Sequence, residues 1–167
     1  MLGRWSCFIF PILLLNIDGN VSDNLKDRIE KIMEIKAENY TINLSAEEKE
    51  LFLGEANLDS QNSTRTKLVM QNEQMFSKLL HLLQDSFSDS GEVTETASNF
   101  LIHVMKNWPK VISDAKDTQL YDGLLKDYQK LMQSDQQIVN AIYPDMIKTL
   151  NLAYWNSLLL KIPPLHS

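Results

Sequence analysis

Three histidines, His81, His103 and His166, and a single cysteine, Cys7, are the side chains here best suited to metal ligation or nucleophilic catalysis. Their spacing supports neither. The histidines lie far apart and share no ligand spacing, and His81 and His103 each fall within a helical pattern, where a core-edge or solvated imidazole is the ordinary state. Cys7 sits in an apolar run at the start of the chain. There is no G-x-S-x-G elbow and no glycine-rich phosphate loop or dinucleotide fingerprint. The adjacent pair Glu47 and Glu48 stands at a predicted helix start, where carboxylates complement the helix dipole. The residues therefore predict a protein that is not an enzyme and needs no metal or cofactor.

The apolar run has its own meaning. Arg4 precedes Phe8, Ile9, Phe10, Ile12, Leu13, Leu14, Leu15 and Ile17, and the stretch fades at Asp18 and Gly19. A positive start and a short apolar block are the pattern of a secretory signal peptide. The block is well short of the ~20 residues that span a bilayer, and Pro11 argues against a buried helix. The expectation is a signal peptide over 1–19, a helical domain over 20–167, and an extracellular protein without cysteine. Four Asn-x-Ser/Thr triplets begin at Asn20, Asn39, Asn43 and Asn62. Asn39, Asn43 and Asn62 are the glycosylation candidates, and their use requires that flank to face solvent. Asn20 reads better as a turn or cap residue.

The chain has 167 residues, of which 44% are hydrophobic and 23% charged, with a formal net charge of −6 that loss of Arg4 and Asp18 leaves unchanged. That size and composition suit one domain able to bury a core without disulfide or metal. An acidic chain without a basic run predicts no nucleic-acid partner, and it argues against anionic membrane surfaces as partners.

The elements that must position any site are helical, because apolar residues recur at three- and four-residue intervals and nowhere alternate for long. Leu25, Ile29, Ile32 and Met33 fit a first helix, with Ser22 or Asp23 as its cap. Ser45 and Glu48 form a capping box opening a second. Residues 57–66 read as a connection and 68–70 as the start of another helix. Met75, Phe76, Leu79, Leu80, Leu82, Leu83 and Phe87 make a broad face that should end in the polar stretch 86–91. Val93, Ala97, Phe100, Leu101, Val104, Met105 and Trp108 repeat it, with a stop or kink expected at Pro109. A face from Leu120 to Met132 starts at Asp117 as cap, and Ser134 caps a short helix after it. Pro144 fits the first turn of a last helix that runs to the prolines at 163 and 164.

The expected fold is all-α: a single compact domain of about seven to nine amphipathic helices enclosing an apolar cavity. Several faces are wide, and methionines recur on them. Both features suit either a thick core or an adaptable pocket for apolar ligands.

Three segments in order carry a resemblance. NLSAEEKELF at 43–52 is similar to the helix opening NLT-x-E-(D/E)-K of the nematode fatty-acid- and retinol-binding proteins. TASNFLIHVMKNW at 96–108 looks like that family's EAKAF helix, and AIYPDMIKTLNLAYWNSLL at 141–159 resembles its FP-x-I closing segment. The likeness covers positions 43–160. It implies a secreted, all-helical carrier that sequesters fatty acids or retinol between its helices and touches membranes transiently to exchange cargo. The lining candidates, on the faces of the longest helical patterns, are Phe76, Leu79, Leu83, Phe100, Leu101, Val104, Leu124, Tyr128, Leu131 and Met146. Lys78, Lys106 or Lys130 would meet a carboxylate headgroup. The alternative is a secreted helical interaction module of the parasite immunomodulatory-antigen type, without lipid cargo and with a protein partner the sequence does not name. A carrier keeps its wide apolar faces inside; an interaction module exposes them. A membrane-surface helix over 152–162 is disfavoured, since Lys161 is its one basic residue.

Overall fold

The computed structural model describes residues 23–53, 72–113 and 116–161. The apolar start with Cys7, the Asn20 and Asn62 sequons, the stretches 57–66 and 68–70, and His166 lie outside them. Among the described residues there are seven helices and no strand: α1 (Asp23–Tyr40), α2 (Ala46–Leu53), α3 (Glu73–Ser90), α4 (Glu95–Ser113), α5 (Thr118–Lys130), α6 (Gln133–Ile142) and α7 (Met146–Leu159).

Helix α1 lies antiparallel along α3, α3 packs on α4, α4 meets α5 and α6, and α7 packs chiefly on α5. The α1–α3 seam has an apolar side and a charged rim. Ile29, Met33 and Ala37 are buried. Arg28 pairs with Glu92, Lys36 with Asp89, and the Tyr40 hydroxyl donates to Asp85. Such half-exposed pairs fix register more than they stabilise.

Local caps explain most boundaries. The Ser45 amide donates to Glu48 Oε2 at 2.8 Å, and the Glu48 amide donates to Ser45 Oγ at 3.2 Å. The predicted capping box is therefore formed. Asn72 Oδ1 accepts from the Met75 amide at 3.1 Å to open α3. Asp117 Oδ1 accepts from the Leu120 amide at 3.0 Å to open α5, as expected.

The polar stretch 86–90, expected to break the chain, is helical. Ser86 is buried and donates to the Leu82 carbonyl at 2.6 Å, and Phe87 is fully buried. Only Gly91, at φ 68°, ends α3. That left-handed conformation costs glycine nothing.

Helix α4 runs through Pro109 to Ser113, so of the stop or kink expected there the stop does not occur. A proline inside a helix costs ~3 kcal/mol. What opposes that cost lies on either side: Trp108 and Val111 are buried, and the Tyr121 hydroxyl donates to the Val111 carbonyl at 3.2 Å.

Three further expectations change. Ser134 is an exposed first-turn residue of α6, whose cap position is Met132 and makes no side-chain bond. Pro144 lies in the turn before α7, with Asp145 at the cap position. Met132, expected on an apolar face, is 70% exposed.

Candidate functional site

The buried apolar side chains among the described residues form one continuous core, and the candidate lining is buried in it or packs against it. Leu79 and Leu83 enter from α3, Phe100, Leu101 and Val104 from α4, Leu124 from α5 and Met146 from α7, all buried. Phe76, Tyr128 and Leu131 are half-buried and pack against the same core. Phe100 and Tyr128 meet directly, ring centroids 5.9 Å apart at 48°. The Tyr128 hydroxyl faces outward and accepts from Asn140 Nδ2 at 2.9 Å. Gln136 Nε2 donates to the Tyr128 and Leu131 carbonyls, each at 3.2 Å, tying the α5–α6 turn together. This end of the core is thus aromatic inside and polar outside.

Methionine recurs in the core: Met33, Met75, Met105 and Met146 are all buried. Their unbranched thioethers adapt to irregular volumes, as a flexible apolar ligand requires.

Trp108 is the residue that sequence reasoning placed on the right face but left out of the lining. It follows Val104 by one helical turn and Leu101 by two. Its side chain is 1% exposed, and its Nε1–H has no hydrogen-bond partner. An unmet buried donor costs about 1–3 kcal/mol, so most buried indoles find an acceptor. The spacing from Leu101 and Val104 could have nominated this side chain; its missing partner could be seen only in three dimensions.

Other polar groups of the interior are engaged within the protein, Asp135 among them. Asp135 is 1% exposed and accepts from the Thr94 hydroxyl at 2.5 Å. Thr94 also caps α4, accepting from the Ala97 amide at 3.1 Å. Burial, and after it the Glu30 carboxylate, push the Tyr143 phenol well above its usual range. That phenol stays neutral at any physiological pH.

The lysines expected to meet a headgroup are not gathered with the lining. Lys106 is exposed, and Lys130 is exposed and 2.8 Å from Asp127 Oδ1. Lys78 edges an open polar depression with Asn72, Glu73, Gln74 and Ser77. Among the described residues, the indole nitrogen of Trp108 is a buried polar side-chain atom without a hydrogen-bond partner on the same face as Leu101 and Val104. Asn39 and Asn43 are both exposed. The hydroxyls two residues on are engaged: Thr41 Oγ1 donates to the Glu38 carbonyl at 2.8 Å, and Ser45 serves the α2 cap. His81 and His103 both lie on the solvent side.

Helix α7 shows a different kind of surface. Its inner face buries Met146, Leu150 and Ser157, while Leu152, Trp155 and Leu159 stand exposed on the face opposite. Searches of family models, curated proteins and solved structures give no match to this chain.

Proposed function

We propose that this chain is an exported carrier that holds one fatty acid or retinol in its helical interior, as the segments resembling the nematode fatty-acid- and retinol-binding proteins imply. The observation that carries the reading is the unpartnered indole N–H of Trp108, buried on the face shared by Leu101 and Val104. A fatty acid or retinol is a long hydrocarbon with one terminal oxygen. Such a ligand needs a dry, adaptable wall and one inward-facing donor. Each CH₂ taken out of water contributes about 0.8 kcal/mol, so the hydrocarbon supplies affinity and the donor supplies orientation. In this reading the Trp108 indole replaces the surface lysines as the group that meets the ligand's oxygen.

The test is titration of the delipidated protein with an environment-sensitive fluorescent fatty acid, followed by displacement with oleate, retinol and a hydrocarbon of matching length. Saturation near one ligand per chain, with a blue shift and clean displacement, is the expected result. Trp108→Phe should weaken oleate by roughly tenfold, the worth of a hydrogen bond to a charged group, and leave the hydrocarbon nearly unchanged. Equal losses for both ligands would reduce Trp108 to a packing residue. A signal that neither saturates nor is displaced would sink the carrier reading itself.

A further inference from the structure

Pro109 and Trp108 set two complementary polar groups side by side on α4. Proline has no N–H, so the Met105 carbonyl, one turn back, loses its regular helical donor. Trp108 is the reverse case, an indole N–H that is buried and has no acceptor. Met105 and Trp108 stand at i and i+3, on one face, and each is 1% exposed. Helical side chains lean towards the N-terminus, which sets the indole over the turn that carries Met105. The carbonyl points the other way along the axis, towards the proline. This step of the helix offers both a donor and an acceptor to whatever lies against it.

The end groups of apolar cargo differ in how well they meet this pair. A hydroxyl has one hydrogen to give and lone pairs to accept. It can take the indole N–H and donate to the Met105 carbonyl at once. An aldehyde oxygen takes the indole alone. A carboxylate also only accepts, and it sets a negative oxygen against the carbonyl oxygen. Its charge meets no buried counter-ion: among the described residues, the buried polar and charged side chains are Thr41, Ser86, Asp135 and Ser157. Burying an unpaired charge is costly. The same interior already resists negative charge at Tyr143, whose phenol is pushed up by burial and then by Glu30.

We infer that the Trp108 indole and the Met105 carbonyl form a subsite for the hydroxyl end of a long-chain alcohol. The interior therefore prefers such alcohols to the matching aldehydes and carboxylates. This rests on the carrier reading and names the end group that its site selects. Trp108 touches the ligand's oxygen; Pro109 is a positioning residue, whose missing hydrogen keeps the Met105 carbonyl available.

Oleyl alcohol, oleyl aldehyde and oleate are each used to displace a fluorescent fatty acid from the delipidated protein. Each ligand is compared between wild type and variant, so that differences in ligand solubility cancel. Pro109→Ala returns an N–H to the Met105 carbonyl. It should weaken the alcohol roughly fivefold more than the aldehyde, the worth of one neutral hydrogen bond. Trp108→Phe should weaken alcohol and aldehyde by similar factors. Met105 followed by Lys106 is the one Met-Lys step in the chain. Methionine labelled at its carbonyl carbon, together with lysine labelled at nitrogen, therefore gives a single NMR correlation without any substitution. That carbonyl resonance should move downfield when the alcohol is added and stay in place with the aldehyde. Equal losses of alcohol and aldehyde in Pro109→Ala, or a Met105 carbonyl indifferent to the alcohol, would overturn the inference while the ligands still bind. If none of the three displaces the probe, the carrier reading fails and the subsite falls with it.

Discussion

The Thr94 hydroxyl donates to the buried carboxylate of Asp135 at 2.5 Å, so the residue that caps α4 is itself held by the first turn of α6. Two helix starts are thereby joined across the core. Removing the carboxylate strands a hydroxyl and loosens a cap. Asp135→Ala should lower unfolding free energy in urea by about 1–3 kcal/mol, and adding Thr94→Ala should cost less than the two single changes combined. Strict additivity would show the two residues to be energetically independent.

Tyr40 gives an alkaline signature. Burial first, then its bond to Asp85 and the charges of Asp85 and Asp89, raise its phenol from the ordinary 10.0 to about 12. A folded value above the unfolded one means the contribution is complete below the unfolded value. It is lost as pH rises through the window from 10.0 to about 12. Urea midpoints measured across that window should fall more steeply for wild type than for Tyr40→Phe. Parallel slopes would contradict the assignment.

Glu48 gives the acidic counterpart. Its bond from the Ser45 amide, chiefly, holds its carboxyl below the usual 4.5. The stabilisation is present above the unfolded value and lost as pH falls through the folded one. The protection of amides at the start of α2, relative to their intrinsic exchange rate, should therefore fall on acidification, and Glu48→Gln should flatten that response. An unchanged response in the variant would remove the capping box as its cause.

Gly123 lies inside α5 at an exposed position, and a methyl group there would meet nothing within 4 Å. Its backbone is not in the left-handed region, so alanine fits without strain. Gly123→Ala should stabilise the protein by about 0.5–1 kcal/mol through helix propensity and a less flexible unfolded chain. A lower denaturation midpoint would mean that the glycine serves something other than the helix.

Leu83 is fully buried in the middle of the core. Leu83→Ala should cost about 2–5 kcal/mol in the ligand-free protein. If the interior takes an apolar cargo, saturating oleate should restore part of that loss, because a ligand bound only by the folded state shifts the equilibrium towards it. Oleate that raises neither wild type nor variant would count against an interior site.

How much of this was legible in the sequence follows from the range of each interaction. The Ser45–Glu48 box and the Asp117 cap involve partners three residues apart, and both were readable in advance. The buried faces of α3 and α4 were readable too, since periodicity states which residues share a side. Longer-range interactions were hidden. Pro109 is carried inside α4 with the help of Tyr121, and the helix run through 86–90 is pinned by burial of Ser86 and Phe87. Asp135, not Ser134, ties the start of α6, and its partner is 41 residues away. For the candidate site, pattern showed which helical faces are buried, but it could not separate the spare donor of Trp108 from an ordinary packed indole. Nor could it show that α7 spends only one of its two apolar faces on the core.

Pro109 has a mechanical consequence. Its nitrogen bears no hydrogen, so the carbonyl of Met105, one turn back, receives no bond from it, and the proline ring crowds that same carbonyl. Helix α4 therefore lacks one backbone hydrogen bond at this level. The turn beyond, carrying Val111, is tethered from outside by the Tyr121 hydroxyl. The indole of Trp108 sits right at this joint. Helix α4 thus has one missing rung, with a tyrosine holding the turn beyond it and the unmet indole donor beside the gap.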